Sequence, residues 1–107
     1  MSHGLSEAAV EGIREVLRHF PEVAKATLYG SRAKGTHRRG SDIDLTLKGV
    51  GLDHSGLTRI CDELDDLLLP YKMDVSLFKD LTHPDLIDHI RRVGVTLYER
   101  SAVPENA

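Results

Sequence analysis

The 107-residue chain has one cysteine, so no intrachain disulfide can brace it, and that usage suits a reducing compartment. It has no apolar run near the ~20 residues that a membrane helix needs. Its first six residues, Met1 to Ser6, carry no basic stretch followed by an apolar one, so no secretory leader is expected and the cytoplasm is the predicted location. It also lacks an excess of positive charge. Fourteen Lys and Arg stand against seventeen Asp and Glu, a net charge of −3, which argues against nucleic acid held by bulk charge. Repeats and low-complexity tracts are absent. The six histidines, at positions 3, 19, 37, 54, 83 and 89, include no pair at helical i, i+4 spacing, so a zinc site is not predicted.

What is present fits one globular domain over residues 1–107, with a core over about 5–98 and a flexible tail over 99–107. The chain is 40% hydrophobic and 29% charged. Ala9, Ile13, Val16, Leu17 and Phe20 recur three and four apart, which predicts an amphipathic helix over 6–19, capped by Ser6 and stopped by Pro21. A short strand is predicted over 24–29. Residues 42–48 alternate, with Asp42, Asp44, Thr46 and Lys48 on one face and Ile43, Leu45 and Leu47 on the other, as in a half-buried strand. Leu57, Ile60, Cys61, Leu64 and Leu68 predict a helix over 54–69, ended by Pro70, with Cys61 in its core-facing stripe. Met73, Val75 and Leu77 form the inner side of a third strand and leave Asp74 on its other side. Pro84 opens a final helix through Leu86, Ile87, Ile90 and Val93. Gly94 closes that helix, and a strand follows over 95–98. The expected fold class is α/β (α+β), a small mixed sheet with helices packed on one face. The opposite face, where Asp42, Asp44 and Asp74 emerge, is left for chemistry.

Asp42 and Asp44 are two apart on a strand and point the same way. Carboxylates this close repel each other unless a cation neutralises them. Oxygen donors of this kind suit Mg²⁺, which takes one or two protein carboxylates and completes its shell with water and phosphate. If the strand of Asp74 pairs beside that of Asp44, a third carboxylate joins them, enough for two ions that clamp the attacking and leaving oxygens of an in-line displacement. The bland alternative, a solvated strand face, fits poorly because Asp is depleted in strands. Upstream, Gly30-Ser31 follows a strand and opens a helical turn, where exposed N–H groups and a hydroxyl can grip a triphosphate. Arg32 and Lys34 either offset phosphate charge or are simple surface cations. The basic loop over 36–40 reads as a solvated charge run, and Asp62, Glu63, Asp65 and Asp66 as an acidic, solubilising helix face.

Ten residues separate Gly30-Ser31 from Asp42-Ile43-Asp44, and an acidic residue follows on a later strand in Met73-Asp74-Val75. This pattern resembles the DNA polymerase beta-like nucleotidyltransferase superfamily. Leu28-Tyr29-Gly30-Ser31-Arg32-Ala33-Lys34-Gly35, Ser41-Asp42-Ile43-Asp44-Leu45 and the ending His89-Ile90, Gly94-Val95, Leu97-Tyr98 resemble its small prokaryotic MNT group. The resemblance spans about 5–98 with no motif residue substituted. It implies that Asp42 and Asp44 bind two Mg²⁺ ions, that Asp74 holds the catalytic one and helps activate an acceptor hydroxyl, and that Gly30 and Ser31 bind the β- and γ-phosphates of an NTP. The implied reaction moves a nucleotide, AMP from ATP, to that hydroxyl with release of pyrophosphate.

Longer members of the superfamily use a further helical domain to select base and acceptor. Within this chain there is no room for one, so a second protein or second copy is expected to complete the pocket. The resemblance implies a small all-helical partner, a HEPN-type chain or a substrate-binding bundle, in a hetero-oligomer of the toxin–antitoxin kind. Two alternatives stand beside an active transferase: a non-catalytic antitoxin that acts by binding its partner, and an NTP-binding sensor.

Overall fold

The computed structural model describes residues 4–35 and 42–100. The expected basic loop over 36–40 and tail residues 101–107 lie outside the described residues.

Helix α1 (Glu7–Arg18) begins where Ser6 accepts a hydrogen bond from the Ala9 N–H at 3.1 Å. This satisfies one of the N–H groups that a first turn leaves without a partner. Its buried stripe is Ala9, Val10, Ile13, Val16 and Leu17. Strand β1 (Lys25–Tyr29) leads into the one-turn helix α2 (Ser31–Lys34), and β2 (Ile43–Lys48) follows. Helix α3 (His54–Asp65) is capped by Asp53, whose Oδ1 accepts from the Gly56 N–H at 2.9 Å. Strand β3 (Met73–Leu77) runs into a short 3₁₀ turn (Phe78–Asp80). Helix α4 (Pro84–Val93) and strand β4 (Val95–Glu99) complete the fold.

Two boundaries correct the sequence reading. The second long helix ends at Asp65, well before Pro70, because Leu67 and Leu68 donate to the carbonyls of Leu64 and Asp65 in tight three-residue bonds. Leu68 then turns the chain with φ +54° and is 87% exposed, so it is not part of the buried stripe. That turn lets Leu67 and Leu69 pack against the core instead. At the other end, β4 extends through Glu99, one residue past its predicted end, and the Arg100 N–H donates to the Ala24 carbonyl at 2.9 Å.

The strands form one mixed sheet in the order β3-β2-β1-β4. β1 runs antiparallel to both β2 and β4, while β2 and β3 are parallel, with α3 as the crossover that a parallel pair requires. One face of the sheet carries Ala26, Leu28, Ile43, Leu45, Leu47, Leu77 and Leu97, which join the buried faces of α1 and α3 in the main core. Helix α4 is on the other side. Its Ile90 is buried but outside that core, and an added Cβ at Gly94, just past its end, would crowd the Thr27 methyl. The open part of the carboxylate face therefore lies over β2 and β3, with α4 as its wall.

Candidate active site

The parallel register of β2 and β3 sets Asp44 directly beside Asp74, and the antiparallel register of β1 and β2 sets Asp44 opposite Tyr29. Because side chains alternate along a strand, Tyr29, Asp44 and Asp74 share one face. Asp42 is exposed and sits just before β2. The sheet thus sets Asp44 and Asp74 side by side near the ends of two adjacent strands, with Asp42 two residues before Asp44.

Their mutual influence is visible at Asp44. Partial burial pushes its carboxyl above the usual range, the negative charges of Asp74 and Asp42 push the same way, and His89 opposes them. The Tyr29 phenol is also raised, mainly by burial, with a hydrogen bond to Ser76 acting against it and the charges of Asp44 and Asp74 adding to it. Below the carboxylates the face stays polar. The Ser76 hydroxyl donates to Thr46 Oγ1 at 3.1 Å, and Thr46 itself is 1% exposed. Buried hydroxyls of this kind cost stability unless paired, and here they pair with one another.

Gly30 is the N-cap of α2, with φ +78° and ψ −154°, a conformation that side-chain-bearing residues rarely adopt. The position a Cβ would take is filled by the Asp44 carboxylate. The sequence reading gave the glycine a role in admitting phosphate. The structure adds a nearer reason, since the glycine lets the Asp44 side chain lie against the turn. Ser31 is half-buried at the start of α2, and Lys34 is exposed at its end. Arg32 is only 2% exposed, and its guanidinium lies 4.8 Å above the Tyr71 ring. Of the two basic residues singled out in the turn, Lys34 faces solvent and Arg32 is packed into the fold.

One contributor was not found by sequence reasoning. The Gly30 N–H donates to His89 Nε2 at 3.0 Å, across 59 residues of sequence, and the His89 ring meets Tyr29 edge to face. A signal existed: His89 lies three residues after Leu86 and four before Val93, on the apolar stripe of α4 where a polar residue needs a reason.

Among the described residues no group of three or more His, Cys, Asp or Glu side chains is gathered as a ready metal cage. The donor set nonetheless fits Mg²⁺, which keeps several waters and prefers one or two carboxylates plus substrate phosphates to an all-protein shell. Asp44 and Asp74, in register and with the Asp44 carboxyl raised by its neighbours, are such a partial shell.

A groove of about 610 Å³ lies elsewhere, along β4, lined by Arg14, Arg18, Leu97, Tyr98 and Arg100, and contains none of these residues. Chemistry, not volume, locates the candidate site.

The family model described as polymerase beta, nucleotidyltransferase matches residues 11–103. Among solved structures, the fold is similar to a toxin–antitoxin crystallised with AMP-PNP, at 23% identity and TM-score 0.69 over 86% of this chain and 74% of that one. It is similar to a chain of the tri-AMPylated Shewanella oneidensis HEPN toxin in complex with MNT antitoxin, at 18% identity and TM-score 0.66 over 90% and 74%. A third likeness is to the toxin–antitoxin MntA-HepT, at 18% identity and TM-score 0.65 over 89% and 74%. At these identities the likeness shows the fold. No curated protein sequence matches the chain.

Proposed function

The chain belongs to the polymerase beta nucleotidyltransferase family, and from that premise we propose that it transfers AMP from ATP to a hydroxyl of a helical partner protein, as the antitoxin of a toxin–antitoxin pair. The observation that carries this reading is the parallel register that sets Asp44 beside Asp74, next to a glycine turn whose α-carbon rests on the Asp44 carboxylate.

Asp42, Asp44 and Asp74 would hold Mg²⁺. When bound, the ions would neutralise the phosphates and stabilise the charge that builds on the attacking and leaving oxygens. At the turn, Gly30, its own N–H given to His89, would let the backbone approach the β- and γ-phosphates, and Ser31 would hold them with its hydroxyl and the N–H groups that follow, while exposed Lys34 would add charge along the chain. Arg32 would serve the same seat indirectly, by fixing α2 against Tyr71. Asp74, the exposed carboxylate of the pair, would receive the proton of the acceptor hydroxyl. The acceptor oxygen then bonds to the α-phosphorus, the bond from that phosphorus to the bridging oxygen breaks, and the electron pair leaves with pyrophosphate.

The partner assignment draws on the solved relatives, which are toxin–antitoxin complexes, one of them holding an AMPylated HEPN toxin. Two further features fit it. The carboxylates lie near the ends of β2 and β3, the exposed Asp42 and Asp74 among them, where a partner protein can approach, and α4 flanks them through the His89 contact to Gly30.

The test is a transfer assay. Labelled ATP and Mg²⁺ are incubated with the chain and the product of the neighbouring reading frame, and Asp42→Ala is compared with wild type. Label on the partner that the substitution abolishes is expected. Label that persists in Asp42→Ala would refute the metal role. Neutralisation of the partner with no label transferred by either protein would favour an antitoxin that acts by binding alone.

A further inference from the structure

Gly30 is held from two sides. Asp44 fills the space beside its α-carbon, and the N–H points away from that carboxylate onto His89 Nε2 at 3.0 Å. For Nε2 to accept, the imidazole must carry its single proton on Nδ1. The ring is oriented by Tyr29, whose ring it meets at 78° with centroids 6.4 Å apart. Such edge-to-face pairs favour a defined ring orientation. Tyr29 is in turn the residue opposite Asp44 in the sheet. A closed circuit therefore runs from Asp44 through Gly30 and His89 to Tyr29 and back across one strand pair.

That circuit has a consequence for the turn. Glycine has the widest backbone freedom of any residue, so a glycine turn is a poor seat unless something fixes it. Asp44 restricts the α-carbon, and the peptide plane before Gly30 carries the N–H that His89 accepts. The hydrogen bond from helix α4 is what fixes that plane. It also uses the Gly30 N–H, which leaves the N–H groups that follow, at the start of α2, to meet an anion.

We infer that His89 is a positioning residue: by accepting from the Gly30 N–H it locks the Gly30-Ser31 turn in the conformation that receives the nucleotide's phosphates. This rests on the proposed function, since it assigns a purpose to the seat named there. A preorganised seat binds more tightly because the ordering cost is met before the ligand arrives. The effect is read in binding, because the hydrogen bond His89 makes is to the turn itself.

Two variants separate the acceptor from the ring. His89→Phe keeps an aromatic ring against Tyr29 and removes the acceptor, and His89→Gln removes the ring and keeps an acceptor oxygen. Two measurements are made on each. In the first, ¹⁵N NMR of the nucleotide-free chain reads the His89 tautomer and hydrogen exchange at the Gly30 amide. The expected result is a proton on Nδ1 and Gly30 exchange at least about ten times faster in His89→Phe. A proton on Nε2, or unchanged Gly30 exchange, would overturn the inference.

In the second, calorimetry reads binding of α,β-methylene ATP with Mg²⁺. His89→Phe is expected to raise Kd about ten-fold, or about 1.4 kcal/mol, and His89→Gln to stay within about three-fold of wild type. Equal Kd in wild type and His89→Phe, despite lost Gly30 protection, would overturn the positioning role alone. A wild-type chain that shows the Gly30 signature but binds no nucleotide would overturn the functional reading and the positioning role with it, leaving the hydrogen bond as a structural fact.

Discussion

The two faces of β2 are made by alternate residues of one six-residue strand, yet they have opposite demands. Ile43, Leu45 and Leu47 are at most 1% exposed and pack with α1 and α3. Asp44 and Thr46 stand between them on the other face, in a layer of carboxyl and hydroxyl groups. The apolar face gains stability from burial. The polar face spends some of it, since charge repulsion and partial burial raise the Asp44 carboxyl. A strand can do both because its side-chain period is two, so changes on one face leave the other in register.

The sharpest test of that division is Asp44→Asn, expected to lower nucleotidyl transfer by at least about 1,000-fold, or about 4 kcal/mol of transition-state stabilisation. The same variant is expected to be as stable as wild type or more so at neutral pH. The sign follows from linkage. A carboxyl whose pKa is higher in the folded chain than in the unfolded one binds its proton better when folded. Wild-type stability therefore falls as pH rises through the folded pKa of Asp44, and is recovered as pH falls below the unfolded value. The Asn variant should lose that dependence. Chemical denaturation across pH 3 to 7 would check it, and a variant clearly less stable than wild type at pH 7 would break the contrast between the faces.

Leu45→Ala, one residue along, should do the reverse. It is expected to cost about 3 kcal/mol of unfolding free energy, read from the denaturation midpoint, while the fraction that stays folded binds nucleotide normally. Gly30→Ala sits at the junction of the two regions. It places a methyl where the Asp44 carboxylate lies and forces a positive φ, so a loss of about 1–2 kcal/mol in stability is expected, together with weaker nucleotide binding. Unchanged nucleotide affinity in Gly30→Ala would detach the turn from the site. The smallest effect is expected from Thr46→Val, which removes the oxygen that pairs with Ser76 and should cost about 1 kcal/mol, with transfer reduced far less than by Asp44→Asn.

Much of this was legible in the sequence, because the signals were local. Ser6 and Pro84 mark helix starts through capping and fixed φ, and alternation in β2 separates core from carboxylates. That Asp74 faces the same way followed from alternation too. That β3 pairs with β2, parallel and level, is a tertiary fact that alternation alone does not contain. Leu68 misled because a leucine in helical phase reads as core, whereas the chain takes a left-handed turn there. For Arg32 the sequence left two readings, beside the phosphates or on the surface, and the stacking on Tyr71, distant in sequence, that removes it from the surface is a tertiary fact. His89 went unread as part of the turn for the same reason: its partner Gly30 is 59 residues away.

If the proposed function holds, Asp44 and Asp74 share a divalent cation beside the Gly30-Ser31 turn. A crystal grown with Mn²⁺ and α,β-methylene ATP tests it most directly, through the anomalous signal of the metal. The expected peak is coordinated by carboxylate oxygens of both Asp44 and Asp74, with the β- and γ-phosphates at the turn. A nucleotide bound with its metal away from either carboxylate would contradict it.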